Sequence, residues 1–107
     1  TVRRLRRSWP ERVVVVEVSD IAEARLWQAA SADILQLEKL PPEAVDRIRR
    51  GIPPGSATRI AATGGVNSAN AGAYARAGAD ILVTSAPYFA TPRDVAVTLH
   101  PLGAATR

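Results

Sequence analysis

The sequence predicts an α/β protein: a parallel, TIM-like and partly open barrel, of which it carries the C-terminal part with about four βα units. Three observations predict this. Short aliphatic or β-branched runs alternate with segments of helical spacing, as βα units of a parallel sheet do. One stretch recurs, Ala32-Asp33-Ile34-Leu35 returning 47 residues later as Ala79-Asp80-Ile81-Leu82, each time after an alanine-rich segment. Such self-similarity fits stacked βα units. Finally, Glu17, Glu38, Thr63 and Ser85 close successive apolar runs, and parallel α/β folds carry their chemistry at the carboxyl ends of the strands.

The chain opens with Arg3, Arg4, Arg6 and Arg7, and Arg12 follows Trp9 and Pro10. Spacings of three and four put most of these arginines on one side of a short helix around Leu5, a solvated face. Phosphate contact beside a stacking aromatic would need a supporting nucleic-acid motif, and none accompanies it. The first strand is the run Val13 to Val18, interrupted only by Glu17. Alternation sets Val13, Val15 and Glu17 on one face and Val14, Val16 and Val18 on the other. A helix is expected from about Ile21 to Ala30, capped by Ser19 or Asp20, with Ala22, Leu26, Ala29 and Ala30 as its apolar stripe.

The second strand is Asp33 to Leu37, with Ile34, Gln36 and Glu38 opposite Leu35 and Leu37. Pro41 and Pro42 suit a first helical turn, Val45 and Ile48 face inward, and Arg47, Arg49 and Arg50 complement the C-terminal dipole before Gly51. Pro53-Pro54-Gly55-Ser56 is a turn. A third strand runs from about Thr58 to Ala62, and Thr63-Gly64-Gly65 leads into a helix capped near Asn67. That helix buries Ala71, Tyr74 and Ala75 and stops at Gly78. Asp80 to Thr84 is the fourth strand, and Val95 to Leu99 is open to reading as a fifth.

Composition bounds the function. With 107 residues the chain is short for a complete eight-unit barrel of about 250 residues. Its 47% hydrophobic and 22% charged residues suit a soluble globular protein, and no apolar run approaches the roughly 20 residues of a membrane helix. Without cysteine there is neither a disulfide framework nor a thiolate nucleophile. No secretory signal pattern follows Thr1, and a cytoplasmic location is expected.

Two strand-end carboxylates, Glu17 and Glu38, imply a ligand that wants negative charge, since a carboxylate in an apolar strand is costly unless paired or hydrogen-bonded. A sugar diol or Mg²⁺ carried by a diphosphate would serve; a structural ion pair with Lys39 or an arginine is the alternative. Ala61-Ala62-Thr63-Gly64-Gly65-Val66-Asn67 is a small-residue turn from strand to helix. Its glycines permit positive φ and close backbone approach, and the following helix would add free N–H groups, which together make a phosphate cradle. Thr84-Ser85-Ala86 would supply donors to the same phosphate, as consecutive late βα loops of barrels do. Asn67, Asn70 and Tyr74 read as cap and packing residues. His100, beyond the last unit, has no placement that suits a catalytic base.

These residues resemble a known family. Val15-Val16-Glu17-Val18, the stretch Ala32 to Lys39, Ala62-Thr63-Gly64-Gly65-Val66-Asn67 and Gly78 to Val83 are similar to the C-terminal half of nicotinate-nucleotide pyrophosphorylase, the quinolinate phosphoribosyltransferase family. Leu35-Gln36-Leu37-Glu38-Lys39 and Val83-Thr84-Ser85-Ala86-Pro87-Tyr88 are closer to its ModD branch, associated with molybdenum-transport operons.

The resemblance implies a pentosyltransferase that moves phosphoribose from phosphoribosyl pyrophosphate (PRPP) to the nitrogen of a pyridine carboxylic acid. Diphosphate and carbon dioxide leave, as in nicotinate mononucleotide formation for NAD biosynthesis. Glu17 and Glu38 would hold the ribose hydroxyls and stabilise an oxocarbenium-like transition state. Thr63, Gly64 and Gly65, with Ser85 and Ala86, would bind the 5′-phosphate, and Lys39 is a further candidate substrate contact. Mg²⁺ would arrive with PRPP on the diphosphate, without direct protein ligands. The resemblance further implies an N-terminal sandwich domain and first barrel strands outside residues 1–107, a homodimer in the full-length protein, and neither nucleic acid nor membrane as partner.

The departures are specific. Glu38 stands where the family usually has Asp, Lys39 where the quinolinate enzymes usually have Asn, and Ser85-Ala86-Pro87 replaces a glycine-containing loop. The family's basic residues for the pyridine carboxylates lie upstream of anything present, so the isolated chain is expected to be inactive. Two other readings remain open at this level: another phosphate-binding α/β barrel acting on a sugar phosphate, and a non-catalytic fragment whose open sheet edges bind another chain.

Overall fold

The computed structural model describes residues 1–103. Its centre is a four-stranded, all-parallel sheet in sequential order. The strands are β1 (Val15–Val18), β2 (Ile34–Glu38), β3 (Arg59–Thr63) and β4 (Ile81–Leu82). Helix α1 (Val2–Ser8) precedes the sheet, and α2 (Ile21–Ala29), α3 (Pro42–Gly51) and α4 (Ala71–Arg76) make the crossovers. The sheet is an open arc: the βα alternation is as expected, but these four strands do not close into a barrel.

Period-two alternation decides what the sheet buries. Val18, Leu35, Leu37, Ile60 and Ala62 form one core with Ala24, Val45, Ile48, Val66 and Tyr74 from the helical side. Leu35, Val45 and Ile60 are completely buried. Burying each such side chain stabilises the fold by roughly 1.5–3 kcal/mol. The opposite face carries Val15 and Glu17 exposed and Ile34, Gln36, Glu38 and Thr63 half-buried. That is the division expected from β1 and β2.

The helices begin and end for local reasons. Asp20 caps α2, its Oδ1 accepting from Glu23 N at 2.8 Å, and the Glu23 carboxylate accepts in return from Ser19 N at 3.0 Å. Pro42 opens α3 and Val45 and Ile48 face the core, as their spacing predicts. Thr1 caps α1 through its hydroxyl.

Four expectations are corrected. The apolar stripe of α2 is not Ala22, Leu26, Ala29 and Ala30, all exposed, with Leu26 at 70%. Ile21, Ala24 and Trp27 face the core instead, because the sheet lies on the other side of a helix whose spacing fits either face. In α4, Tyr74 is buried but Ala75 is exposed; the Tyr74 hydroxyl donates to the Leu40 carbonyl at 2.9 Å and fixes which face turns inward. The fourth strand is only Ile81–Leu82, in register with Ala61 and Ala62 of β3. The segment Val95 to Leu99 forms no strand: its Val95, Val97 and Leu99 are 77–89% exposed, with no described neighbour to pair with.

Candidate active site

The carboxyl ends of β1, β2 and β3 bring the predicted residues to one edge of the open face. Glu17 is in register with Gln36, and Glu38 with Thr63. In a parallel sheet partners in register share a face, so all four project from the side that the helices leave uncovered. Neighbouring strands lie about 4.8 Å apart and alternate residues of one strand about 6.6 Å apart. Glu17 therefore sits one strand across and one step below Glu38.

Between β2 and β3 the chain is tightly tied. Lys39 takes a left-handed conformation, φ 55°, immediately after Glu38. Its N–H donates to the Thr63 carbonyl at 2.8 Å, and the left-handed φ turns the chain away after that bond. Its ammonium is largely exposed and lies 3.9 Å from Glu38 Oε1, a loose pair that leaves the carboxylate accessible. Such exposed pairs contribute about 0–1 kcal/mol.

Gly64 shows why glycine follows Thr63. With φ 82°, a Cβ there would lie 2.6 Å from Lys39 Cγ, 2.9 Å from Glu38 Oε1 and 3.0 Å from Lys39 N. The missing side chain is what lets the loop and the Glu38 carboxylate approach. Gly65, at φ 85°, has open space around it, and its carbonyl accepts from Asn70 Nδ2 at 2.8 Å. The Gly64 and Gly65 N–H groups donate to no other described residue. Two adjacent amides on positive-φ glycines can serve an anion.

The helical contribution expected of this cradle is corrected. Regular helix α4 begins only at Ala71 and is six residues long. Three of the five intervening amides are occupied: Asn67 Oδ1 accepts from Ala69 N at 2.9 Å and Asn70 N at 3.1 Å, and Asn70 Oδ1 accepts from Asn67 N at 2.8 Å. Asn67 caps a turn and not the helix expected to start near it, whose N-cap is Asn70, and it takes up two of the donors that a phosphate would need. The Gly64 and Gly65 amides remain as donors, and with them those of Val66 and Ser68, which also donate to no other described residue.

The second predicted loop sits beside the first. Thr84 Oγ1 donates to the Val66 carbonyl and accepts from Ala86 N at 3.1 Å. Ser85 then opens a short 3₁₀ turn over Ala86–Phe89, with its hydroxyl making no cap bond. Ser85 and Ala86 are thus held next to the glycine loop through Thr84, with the Ala86 amide committed to Thr84 rather than open to a ligand. His100 lies on the exposed segment after the last helix.

Gln36 is the residue that the sequence argument passed over. Its position on the face of Glu17 and Glu38, two residues before Glu38, was the available signal. It is half-buried beside Ala61, and its amide bonds to no described residue.

The opposite end of the sheet carries a different kind of carboxylate. Asp33 Oδ1 accepts from Arg6 at 2.8 Å and its Oδ2 from Val14 N at 2.7 Å. The Arg6 hydrogen bond, followed by that of the Val14 amide, holds the Asp33 carboxyl below the usual value. Arg6 is therefore engaged in the fold. Among the described residues no group of three or more His, Cys, Asp or Glu side chains converges to hold a metal, and no helix is long and apolar enough to cross a membrane.

Comparison with known proteins gives consistent matches. Residues 1–98 match the profile of the family described as quinolinate phosphoribosyl transferase, C-terminal domain. The chain is 49% identical over 77 residues to the candidate pyrophosphorylase ModD of Rhodobacter capsulatus, covering 72% of this chain and 30% of that protein. It is 38% identical over 102 residues to its counterpart in Escherichia coli O157:H7, covering 94% and 36%. The chain thus spans about a third of the length of these curated relatives. Its fold superposes on the nicotinate-nucleotide pyrophosphorylase of Francisella tularensis with a TM-score of 0.67 and 27% identity, over 76% of this chain and 29% of that one.

Proposed function

The chain belongs to the quinolinate phosphoribosyl transferase family, on its C-terminal-domain side and with ModD proteins among its relatives, and from that premise we propose that it is the PRPP-binding part of a phosphoribosyltransferase. The reaction is transfer of phosphoribose from PRPP to the nitrogen of a pyridine carboxylic acid. The ring nitrogen forms the bond to ribose C1, and diphosphate leaves with the electron pair of the C1–O bond. The carboxyl next to the ring nitrogen departs as carbon dioxide, and a proton takes its place on the ring. The four-stranded arc is then one part of a barrel completed by strands outside this chain, with an N-terminal sandwich domain before them.

One observation carries the reading: Glu17, Glu38 and Thr63 share the open face at the carboxyl edge, with Gly64 packed against Glu38. The carboxylates accept from the ribose hydroxyls and face the positive charge that develops at C1 as diphosphate leaves. The unused amides of Gly64 and Gly65 and the Thr63 hydroxyl take the 5′-phosphate, with the Ser85 hydroxyl beside them. Lys39, exposed next to Glu38, is placed to meet the diphosphate or the acceptor carboxylate. Mg²⁺ belongs to the donor substrate. With two carboxylates on this face and, among the described residues, no third ligand converging on them, the site fits a cation that enters already held by diphosphate.

Titration calorimetry of the full-length protein with Mg²⁺ and PRPP tests the proposal. Binding that is lost on Glu17→Ala or Glu38→Ala is the expected result; no binding by the unaltered protein refutes it.

A further inference from the structure

Resting on that reading of the site, we infer that Gln36 is a specificity-determining residue that contacts a ribose hydroxyl of the donor, as a third wall of the pocket formed with Glu17 and Glu38. Gln36 pairs with Glu17 on one side and Ala61 on the other, and shares its face with Glu38 two residues later. The three polar side chains thus form an L, Glu17 about 4.8 Å across from Gln36 and Glu38 about 6.6 Å along the strand.

The surroundings favour a polar partner from outside the chain. Ala61 offers only a methyl group beside Gln36, and Ile81, next in register, is apolar. Gln36 is half-buried as a residue, while its amide stays open to solvent and makes no hydrogen bond to a described residue. Its donors and acceptor can therefore meet a ligand without breaking a bond inside the chain, which an aliphatic side chain of the same length could not do.

The chemistry specifies the ligand class. A vicinal diol presents two hydroxyls, each able to donate and accept. Glu17 and Glu38, when ionised, only accept. Gln36 adds an N–H₂ donor and a carbonyl acceptor, so a hydroxyl donating to Glu17 can at the same time accept from Gln36. That pattern distinguishes a ribose hydroxyl from a bare cation, which has no use for an N–H donor and would leave it facing positive charge.

The test compares PRPP with its 2-deoxy and 3-deoxy analogues on the full-length protein carrying Gln36→Met, which keeps the length and removes both polar ends. The expected result is PRPP binding weakened about 3- to 10-fold, the range for one neutral hydrogen bond, with an unchanged melting temperature. The penalty for removing one of the two hydroxyls should shrink by the same factor, since the variant has already lost that contact. Equal PRPP affinity in variant and parent, or an undiminished penalty for both analogues, overturns the inference while leaving the proposed function standing. Failure of the unaltered protein to bind PRPP overturns the proposed function itself. If Gln36→Met melts early, Gln36→Ala carries the same comparison of analogues, which a merely structural role would not move.

Discussion

Asp33 and Asp80 occupy equivalent places 47 residues apart and form the same set of bonds at the amino ends of β2 and β4. Asp33 accepts from Val14 N, the residue just before β1, at 2.7 Å and from Arg6 of α1. Asp80 accepts from Ile60 N on its preceding strand at 2.8 Å and from Arg49 of α3. Each arginine also reaches the carbonyl two residues before its aspartate, Arg6 to Ser31 and Arg49 to Gly78. Ser31 and Gly78 both have positive φ. The bonds Ala32 N to Trp27 O and Ala79 N to Tyr74 O, at 3.0 and 3.1 Å, complete the correspondence. The repeated tetrapeptide is a structural repeat, in which an aspartate locks a strand to its neighbour and to a helix.

Removing either lock should destabilise the fold. Asp33→Ala strands the Arg6 guanidinium and leaves the Val14 amide without its acceptor, a loss of about 1–3 kcal/mol for bonds to a charged group. Partial exposure of both side chains puts the expected value toward the lower end. Urea unfolding of Asp33→Ala, Arg6→Ala and the double variant measures it, and the double variant should cost less than the two single losses together.

The same carboxylate sets an acid limit. Arg6 and the Val14 amide hold the folded Asp33 below its ordinary value, so the folded state favours the ionised form more than the unfolded chain does. Its contribution is complete above the unfolded value, near about 4, and is lost as pH falls through the depressed folded value. Melting temperatures below pH 4 should therefore fall more steeply for the parent than for Asp33→Asn, which starts lower and has no such term.

Gly64 and Gly65 should respond differently to alanine. Both have positive φ, but only at Gly64 does a Cβ meet Lys39 and Glu38, as close as 2.6 Å. Gly65→Ala should cost about 1–2 kcal/mol from left-handed backbone alone. Gly64→Ala should cost more and, on the proposed function, also weaken PRPP binding by displacing Glu38. Paired melting and calorimetry on the two variants separates strain from site damage.

Lys39 carries a smaller strain of its own at φ 55°. Lys39→Gly should relieve part of it, since glycine takes left-handed φ without steric cost while losing more entropy on folding. A net gain of about 0.5–1 kcal/mol is expected, and Lys39→Asn should fall between, because Asn tolerates this region better than Lys. Chemical denaturation checks the order. The Asn usual in the quinolinate enzymes at this place suits the backbone conformation seen here, whatever its side chain contacts.

What the sequence by itself determined is what depends on neighbours along the chain. Alternation in Val13 to Val18 and Ile34 to Glu38 set which side chains share a face, and so put Glu17, Gln36 and Glu38 on the same side. Val45 and Ile48 after Pro42, the turn at Pro53 to Ser56 and the glycine pair after β3 were legible for the same reason. Only the tertiary structure decided what depends on distant partners. It chose Ile21, Ala24 and Trp27 over Ala22 and Leu26, since a helix whose spacing admits two apolar faces buries the one its sheet presents. It left Val95 to Leu99 without a described strand partner, because a strand persists only where a neighbouring backbone takes up its hydrogen bonds. It spent the amides of Asn67, Ala69 and Asn70 on the Asn67 and Asn70 side chains, leaving the candidate phosphate donors on the glycine loop rather than at a helix terminus. Side-chain periodicity is a local property of the backbone, whereas the choice of hydrogen-bond partner is made across the fold.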